Sequence, residues 1–440
     1  MAEKQRTCVA ARRRLAVAAI PEPVPATSLT SQHNPSNQTF TMKLKTLLMS
    51  CTAALCVSAP ADRLQERCDA AWAKSMTTQC PTTGVLYGCD PKRATVPSCA
   101  KNNLYHKEDV KGWGAPGVGD APLITGTALA GLCDKWSVTG DEAVRAEAAS
   151  VARGLLNLAI LHGYRGFVAR GLCNDGKTTI SLSSRDQYTH WVHGLWRYVT
   201  SGMADPKLVE LYRKNIVAVA EFMEQRVTEK NNWNFGVADL SRPDPRGICT
   251  MWGPDVWPHE AARLPMIYAA AFMATKDPHW RDCYETYIDP ALDRTLELLT
   301  LPISKINSRM PCYSLYQANA SLELLLAFEQ GTPREARIRQ ALDAFADIAR
   351  RRGQKANPKK PPYGMCWDGE LALARLLAPT LTDAAELGTF LTAAIERTNP
   401  NATSLVRNSH VMAAYWKARV RDRQGAGILS PIQGQPTPQP

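Results

Sequence analysis

The sequence predicts an all-α protein, a single domain assembled from helical hairpins. Three observations carry that expectation. Apolar residues recur at helical spacing from residue 121 onward, strand-type alternation is scarce, and short links alternate with long ones along the chain. With 440 residues, 45% hydrophobic and 21% charged, the chain has the means to bury a large core and lacks the composition of a disordered protein.

The first pair combines residues 121–137 with the stripe Val144, Ala148, Val151, Leu155 and Leu158, whose spacing places all five on one helical face. Further pairs are expected at 185–201 with 206–228, 256–275 with 278–299, and 313–330 with 333–352; helices over 368–378, 382–397 and 403–421 complete the series. Links within pairs are short: Thr139-Gly140-Asp141, Ala204-Asp205-Pro206, Lys276-Asp277-Pro278 and Gly331-Thr332-Pro333. Asp or Thr beside Pro suits a helix start, because the side-chain oxygen caps a backbone N–H and proline has none to satisfy. Links between pairs, at 163–184, 230–255, 302–312, 353–367 and 399–404, are long and rich in Gly, Pro, Trp, Tyr and Arg. Loops of this kind, falling at one end of a rigid array, are where function concentrates. A solenoid of the same hairpins would show a fixed-length repeat, and none is present.

The start of the chain reads differently. From Met42 the sequence MKLKTLLMSCTAALCVSAPA has the form of a signal peptide: Lys43 and Lys45 supply the charged region, Leu47 to Val57 the apolar run, and Ala59-Pro60-Ala61 the cleavage site before Asp62. The expected layout is a leader extension or unfolded segment over 1–41 and the signal peptide over 42–61. A Cys-rich, loop-bearing segment over 62–120, the helical domain over 121–422 and a disordered tail over 423–440 follow. Secretion or a periplasmic location follows, without a lipid anchor, since the apolar run before Cys51 is too short for one. No apolar run downstream of residue 61 is long enough to cross a membrane. Arg12 to Arg14 are too few to indicate a nucleic-acid partner.

Export alters the reading of charge and cysteine. Residues 1–61 hold seven of the 52 Lys/Arg and two of the 41 Asp/Glu, leaving a formal +6 for the remainder. That balance suits an acidic glycan and equally suits ordinary solubility. Ten of the 13 cysteines remain, an even number in an oxidising compartment, so disulfides are expected, with Cys68, Cys80, Cys89 and Cys99 crowded ahead of the helices. No C-x-x-C pair, H-E-x-x-H or G-x-S-x-G motif occurs, so no metal, no cofactor and no serine nucleophile is expected.

The most informative stretch runs from Ser183 to Tyr198. As a helix capped by Ser184 it places Asp186, His190, His193 and Arg197 in one stripe, with Tyr188, Val192, Leu195 and Val199 opposite. A solvated face would use Glu and Lys; two His, one Asp and flanking Trp fit a cavity wall better. This block resembles the W-x-R-G-x-x-W-x-x-Y-G-L pattern of the unsaturated glucuronyl and rhamnogalacturonyl hydrolases of the six-hairpin glycosidase superfamily, with Arg185, Gln187, His193-Gly194-Leu195 and Tyr198 in comparable positions. A second block, from Trp257-Pro258-His259-Glu260 through Arg263-Leu264-Pro265-Met266 to Thr275-Lys276-Asp277-Pro278-His279-Trp280, is similar to their M-P-x-L to T-G-D-x-x-Y stretch. Asp186 stands where that pattern has glycine, and the two blocks come in reverse order.

The resemblance implies an (α/α)6 toroid with its long loops at one mouth, and a carbohydrate-active enzyme whose Asp or Glu residues at helix starts do acid/base work. Carboxylates in such positions are Asp186, Asp255, Glu260, Asp368 and Glu370, of which Asp186, Asp255 and Glu260, with His190, are the expected catalytic groups. Asp255 sits between Trp252 and Trp257, and an N-terminal cap is its structural alternative. Arg185, Tyr188, His193, Trp252, Trp257, Arg170 and Trp367 are the expected substrate-binding residues: Trp stacks on sugar faces and Arg grips carboxylates. Expected substrates are oligosaccharides or polysaccharides. A polysaccharide lyase is the competing reading, with His190, a tyrosine such as Tyr188, Tyr164 or Tyr313, and Arg185 or Asn319 as carboxylate neutraliser. A non-catalytic glycan-binding protein is the third.

Overall fold

A computed structural model describes residues 60–96, 117–238, 243–244, 247–354, 368–398 and 405–429. The chain divides into a unit of residues 1–56 and one of 57–440, and every described element belongs to the second. The expected leader, apart from Pro60 and Ala61, lies outside the described residues, as do Cys99 and Trp367.

The described chain is all-helical, as expected. Its helices are α1 Pro60–Met76, α2 Ala121–Thr139, α3 Glu142–Ile160, α4 Arg185–Val199, α5 Pro206–Arg226, α6 Arg263–Thr275, α7 Pro278–Leu296, α8 Ile303–Arg309, α9 Cys312–Phe328, α10 Arg334–Gln354, α11 Asp368–Leu376, α12 Ala384–Arg397 and α13 Leu405–Arg423. Isolated bridges such as Leu172 with Thr179 and Asn234 with Thr250 tie the long loops without forming a strand among the described residues. No described helix is long and apolar enough to cross a membrane.

The short links behave as their sequences dictate. Asp141, Asp205 and Asp277 each accept from the backbone N–H two residues on, at 2.9, 2.7 and 3.0 Å, starting α3, α5 and α7. Gly140 and Lys276 end α2 and α6 in the left-handed conformation.

Two kinds of helix result. In α2, α4, α6, α9 and α11 the residues of nearly every face are buried, whereas α3, α5, α7, α10 and α12 bury one stripe. The former group, with α13, makes successive contacts: α2 with α4, α4 with α6, α6 with α9, α9 with α11, α11 with α13, and α13 with α2. Small residues permit the closest approaches. A Cβ on Gly126 would lie 2.3 Å from the His190 carbonyl oxygen, and one on Gly194 2.7 Å from that of Gly126, so α2 and α4 touch backbone to backbone.

Four expectations need correction. The segment 62–120 begins with α1, which packs on α12 and α13; Arg67 on α1 donates to the carbonyls of Glu396 and Thr398 at 2.6 and 3.1 Å, and Lys135 of α2 reaches Asp69 at 2.7 Å. Cys68, Cys80 and Cys89 are thiols, while Cys173 and Cys312 are the described disulfide-bonded residues. The helix expected over 256–275 starts only at Arg263, because the Glu260 carboxylate takes the Trp257 N–H and the chain before it runs in turns. Residues 424–429 of the expected disordered tail are placed: the N–H groups of Ile428 and Leu429 donate to Asp422 at 2.6 and 3.0 Å, and both side chains are buried.

Candidate functional site

The first turns of each buried helix carry polar groups. Asp120 precedes α2, Asp186 and Gln187 open α4, Arg263 opens α6, Tyr313 and Gln317 open α9, Glu370 opens α11, and His410 lies one turn into α13. Six helix N-termini bring positive dipole ends to these residues, an electrostatic setting that favours anions and carboxylates.

The polar groups are joined. Gln187 Nε2 donates to Asp120 Oδ1 at 2.8 Å, and Asp120 pairs with the buried Arg170. Asp186 pairs with Arg263, which is 1% exposed and donates through its other terminal nitrogen to Gln317 Oε1 at 2.8 Å. Gln317 Nε2 lies 3.4 Å from His190 Nε2, and Thr127 Oγ1 lies 3.1 Å from His190 Nδ1. This chain fixes a tautomer. A guanidinium only donates, so the oxygen of Gln317 faces Arg263 and its NH2 faces His190; His190 Nε2 must then accept, leaving the proton on Nδ1, directed at Thr127. Burial, and after it His410, His193 and Arg263, push the His190 pKa well below its ordinary 6.5, so the ring is neutral.

Glu370 is buried, and its Oε1 lies 3.7 Å from His410 Nε2. The His410 ring centroid stands 5.7 Å from that of Tyr316 and 6.4 Å from that of His190. Tyr313, half-buried on the first turn of α9, feels both carboxylates: burial, then the Asp186 charge, raises its phenol to about 12, and Glu370 adds to the rise while Arg263 and Arg185 oppose it.

One to two turns deeper lies an ion cluster. Glu323 accepts from His193 Nε2 at 2.7 Å, Arg197 Nη1 at 2.9 Å and Lys417 Nζ at 2.7 Å, and Arg197 reaches Asp134 at 2.5 Å. Burial opposes ionisation of Glu323, but Lys417 and Arg197 outweigh it and hold its pKa well below the usual carboxylate value.

The structure sorts the expected site residues. Asp186 and His190 lie together in the polar belt. Glu260 pairs with Arg185 and stands 3.4 Å from His259; burial pushes its pKa up, yet His259 and Arg185 bring it down to about 2. Such a carboxylate is an ion-pair partner and cannot serve as a proton donor near neutrality. Asp255 is exposed and does not join the belt. With Trp257, Arg294, Lys305 and Arg309 it lines a separate cleft of about 460 Å³, and it caps no helix, since α6 starts eight residues later. Trp257 stacks under Arg309 at 5.1 Å, and Trp252 packs edge-on against Tyr287 at 5.0 Å. Neither ring is brought to Asp186.

Tyr188 is a core residue: its hydroxyl takes the Val168 N–H at 3.1 Å, reaches the Gly166 carbonyl, and its ring packs 5.0 Å from Phe235. His193 serves the Glu323 cluster, and Arg170 holds Asp120. Asn319 donates to the Ala374 and Leu342 carbonyls, stitching α9 to its neighbours, so it is no carboxylate neutraliser. Tyr164 is exposed beside His162, and Asp368 pairs with Arg397 at 2.7 Å. Sequence reasoning passed over Arg263, Gln317, Tyr316, Glu323 and His410. For Gln317 and Glu323 the signal was a polar side chain inside a helix otherwise largely apolar, as in Gln317-Ala318-Asn319.

Compared with protein-family models, with curated proteins and with solved structures, the chain matches none.

Proposed function

We propose that the chain is an exported glycoside hydrolase built on an (α/α)6 toroid, with its active site at the mouth where the buried helices begin. The cyclic contacts of α2, α4, α6, α9, α11 and α13 support the toroid, each backed by a one-faced helix, with α1 backing α13. The leader from Met42 and the disulfide-bonded Cys173 and Cys312 support export.

One observation carries the enzymatic reading: Asp186 and Glu370 open α4 and α11 in unlike surroundings, and the charge of each acts on the Tyr313 phenol. Asp186 has a side chain 24% exposed and fixed by Arg263, so it can meet both sugar and water. Glu370 is enclosed beside His410. Two carboxyl groups in different environments divide into an acid that protonates the leaving oxygen and a base or nucleophile. Glu370 takes the first role in this proposal and Asp186 the second, while His190, Gln317 and Arg263 position Asp186. A lyase is less well supported, because Arg170, Arg185 and Arg263 already face Asp120, Glu260 and Asp186 and would have to exchange those partners for a uronate.

The test is a panel of neutral and uronate-containing oligosaccharides assayed for new reducing ends. Asp186→Asn and Glu370→Gln should each cut turnover by about a hundredfold or more in protein that circular dichroism shows to be folded, with some loss of melting temperature because each removes a charge from a buried group's surroundings. Accumulation of unsaturated uronide would establish the lyase reading instead. Normal turnover in both variants would remove this carboxylate pair from the mechanism.

A further inference from the structure

We infer that Glu224, His279 and Cys283 form a binding site for a divalent cation of borderline softness, zinc foremost. The site belongs to none of the polar groups at the helix mouths and stands independently of the proposed reaction.

Its construction follows from the sequence. The Asp277 cap starts α7 at Pro278, so His279 falls in the first turn, and the i, i+4 spacing stacks Cys283 beside it on the same face. Glu224 comes from the last turns of α5. The His279 ring is steadied by an edge contact with Trp280 at 4.6 Å between centroids. All three residues are largely shielded: the Glu224 and His279 side chains are 25% and 19% exposed, and Cys283 is buried, a thiol outside any disulfide.

The distances among the donor atoms are those of a ligand set. His279 Nε2 lies 3.1 Å from Glu224 Oε2 and 3.7 Å from Cys283 Sγ, and Cys283 Sγ lies 3.9 Å from Glu224 Oε1. One oxygen, one nitrogen and one sulfur therefore lie within 4.8 Å of one another. Zinc bonds of about 2.0–2.3 Å to such donors in tetrahedral geometry place the donors about 3.3–3.6 Å apart, so shifts of a few tenths of an ångström complete the coordination. A His–Glu ion pair accounts for the first distance alone. It gives no reason for a thiol to face both partners. Loss of the Cys283 proton on binding leaves a thiolate, a carboxylate and a neutral imidazole, a donor set that favours zinc or cobalt over magnesium or calcium. The fourth position falls to water, and the ion would tie α5 to α7, both of which pack on α6.

The experiment uses the full chain, stripped with a chelator and titrated with Co²⁺ as a spectroscopic probe for zinc. Stoichiometric binding with an intense thiolate-to-cobalt absorption is expected. That band should vanish in Cys283→Ser, and His279→Ala and Glu224→Gln should each weaken binding by about a hundredfold or more. Zinc should raise the melting temperature of the wild-type chain and leave that of the variants unchanged. The metal-free variants, melted alongside metal-free wild type, show whether each still folds. Absence of stoichiometric binding to the wild-type chain, or a thiolate band that survives in a folded Cys283→Ser variant, overturns the site.

Discussion

Arg263 is 1% exposed and still has every reason to be charged, because Asp186 and Gln317 receive its two terminal nitrogens. A buried guanidinium with such partners is a rigid post, and its effect travels through Gln317 to the tautomer of His190. The neutral histidines also set a pH response. Burial lowers the pKa values of His190, His193 and His259 below 6.5, so the folded chain declines protons that the unfolded chain accepts. The unfolded state then binds more protons as pH falls through 6.5, and stability falls with it. Glu260 adds a second, lower window: its contribution is whole above the unfolded value of 4.5 and lost as pH drops through about 2. Thermal melts should show a declining melting temperature below pH 6.5 and a further loss below 4.5. A constant melting temperature between pH 7 and 5 contradicts the histidine assignment.

Between elements, contact depends on missing side chains and on satisfied charges. Gly126→Ala would drive a methyl group to within 2.3 Å of the His190 carbonyl, so α2 and α4 must separate. A loss of about 1–3 kcal/mol is expected from denaturant melts, with activity falling as well, since His190 moves with the backbone. Wild-type stability in this variant would show that the two helices are less closely packed. The ion cluster joins α2, α4, α9 and α13 through Asp134, Arg197, Glu323 and Lys417. Glu323→Gln leaves three cationic or donor groups facing a neutral amide, and truncating one member of a buried pair costs about 3–5 kcal/mol. A variant as stable as wild type would mean that water or a neighbouring carboxylate replaces the lost charge.

At the level of the whole molecule, α1 packs beside α13, so the first and last described helices are neighbours. Trp72 and Cys68 of α1 are buried, and Arg67 supplies donors to carbonyls at the end of α12. Removing residues 60–76 uncovers the α1-facing side of α13 and should give aggregated or partly unfolded protein, read by size-exclusion chromatography and circular dichroism. A monomeric, fully helical product would show that α13 needs no backing helix. Cleavage before Asp62 would leave α1 intact but for Pro60 and Ala61, so export and folding are compatible.

The sequence alone determined the helical class, most helix bounds and the caps of α5 and α7, because these depend on local periodicity and on Asp beside Pro. It also singled out Asp186 and His190, since two ionisable groups one turn apart on a helix face are visible in any linear reading. What only the tertiary structure decided was which polar residues share a space. Glu260 and Asp186 both stand near the start of a buried helix, yet one is enclosed with Arg185 and His259 and the other, paired with Arg263, stays partly exposed. Tyr188 and His190, two residues apart, part company because the backbone turns one into the core against Phe235 and the other toward Gln317. The place of the N-terminal helix was not legible since α12 and α13, on which it packs, lie more than 300 residues away, and Glu224 was not linked to the i, i+4 pair His279 and Cys283 since it comes from another helix. Helix formation is governed by neighbours in sequence, whereas ion pairs and donor clusters are governed by neighbours in space, which only the packed chain supplies.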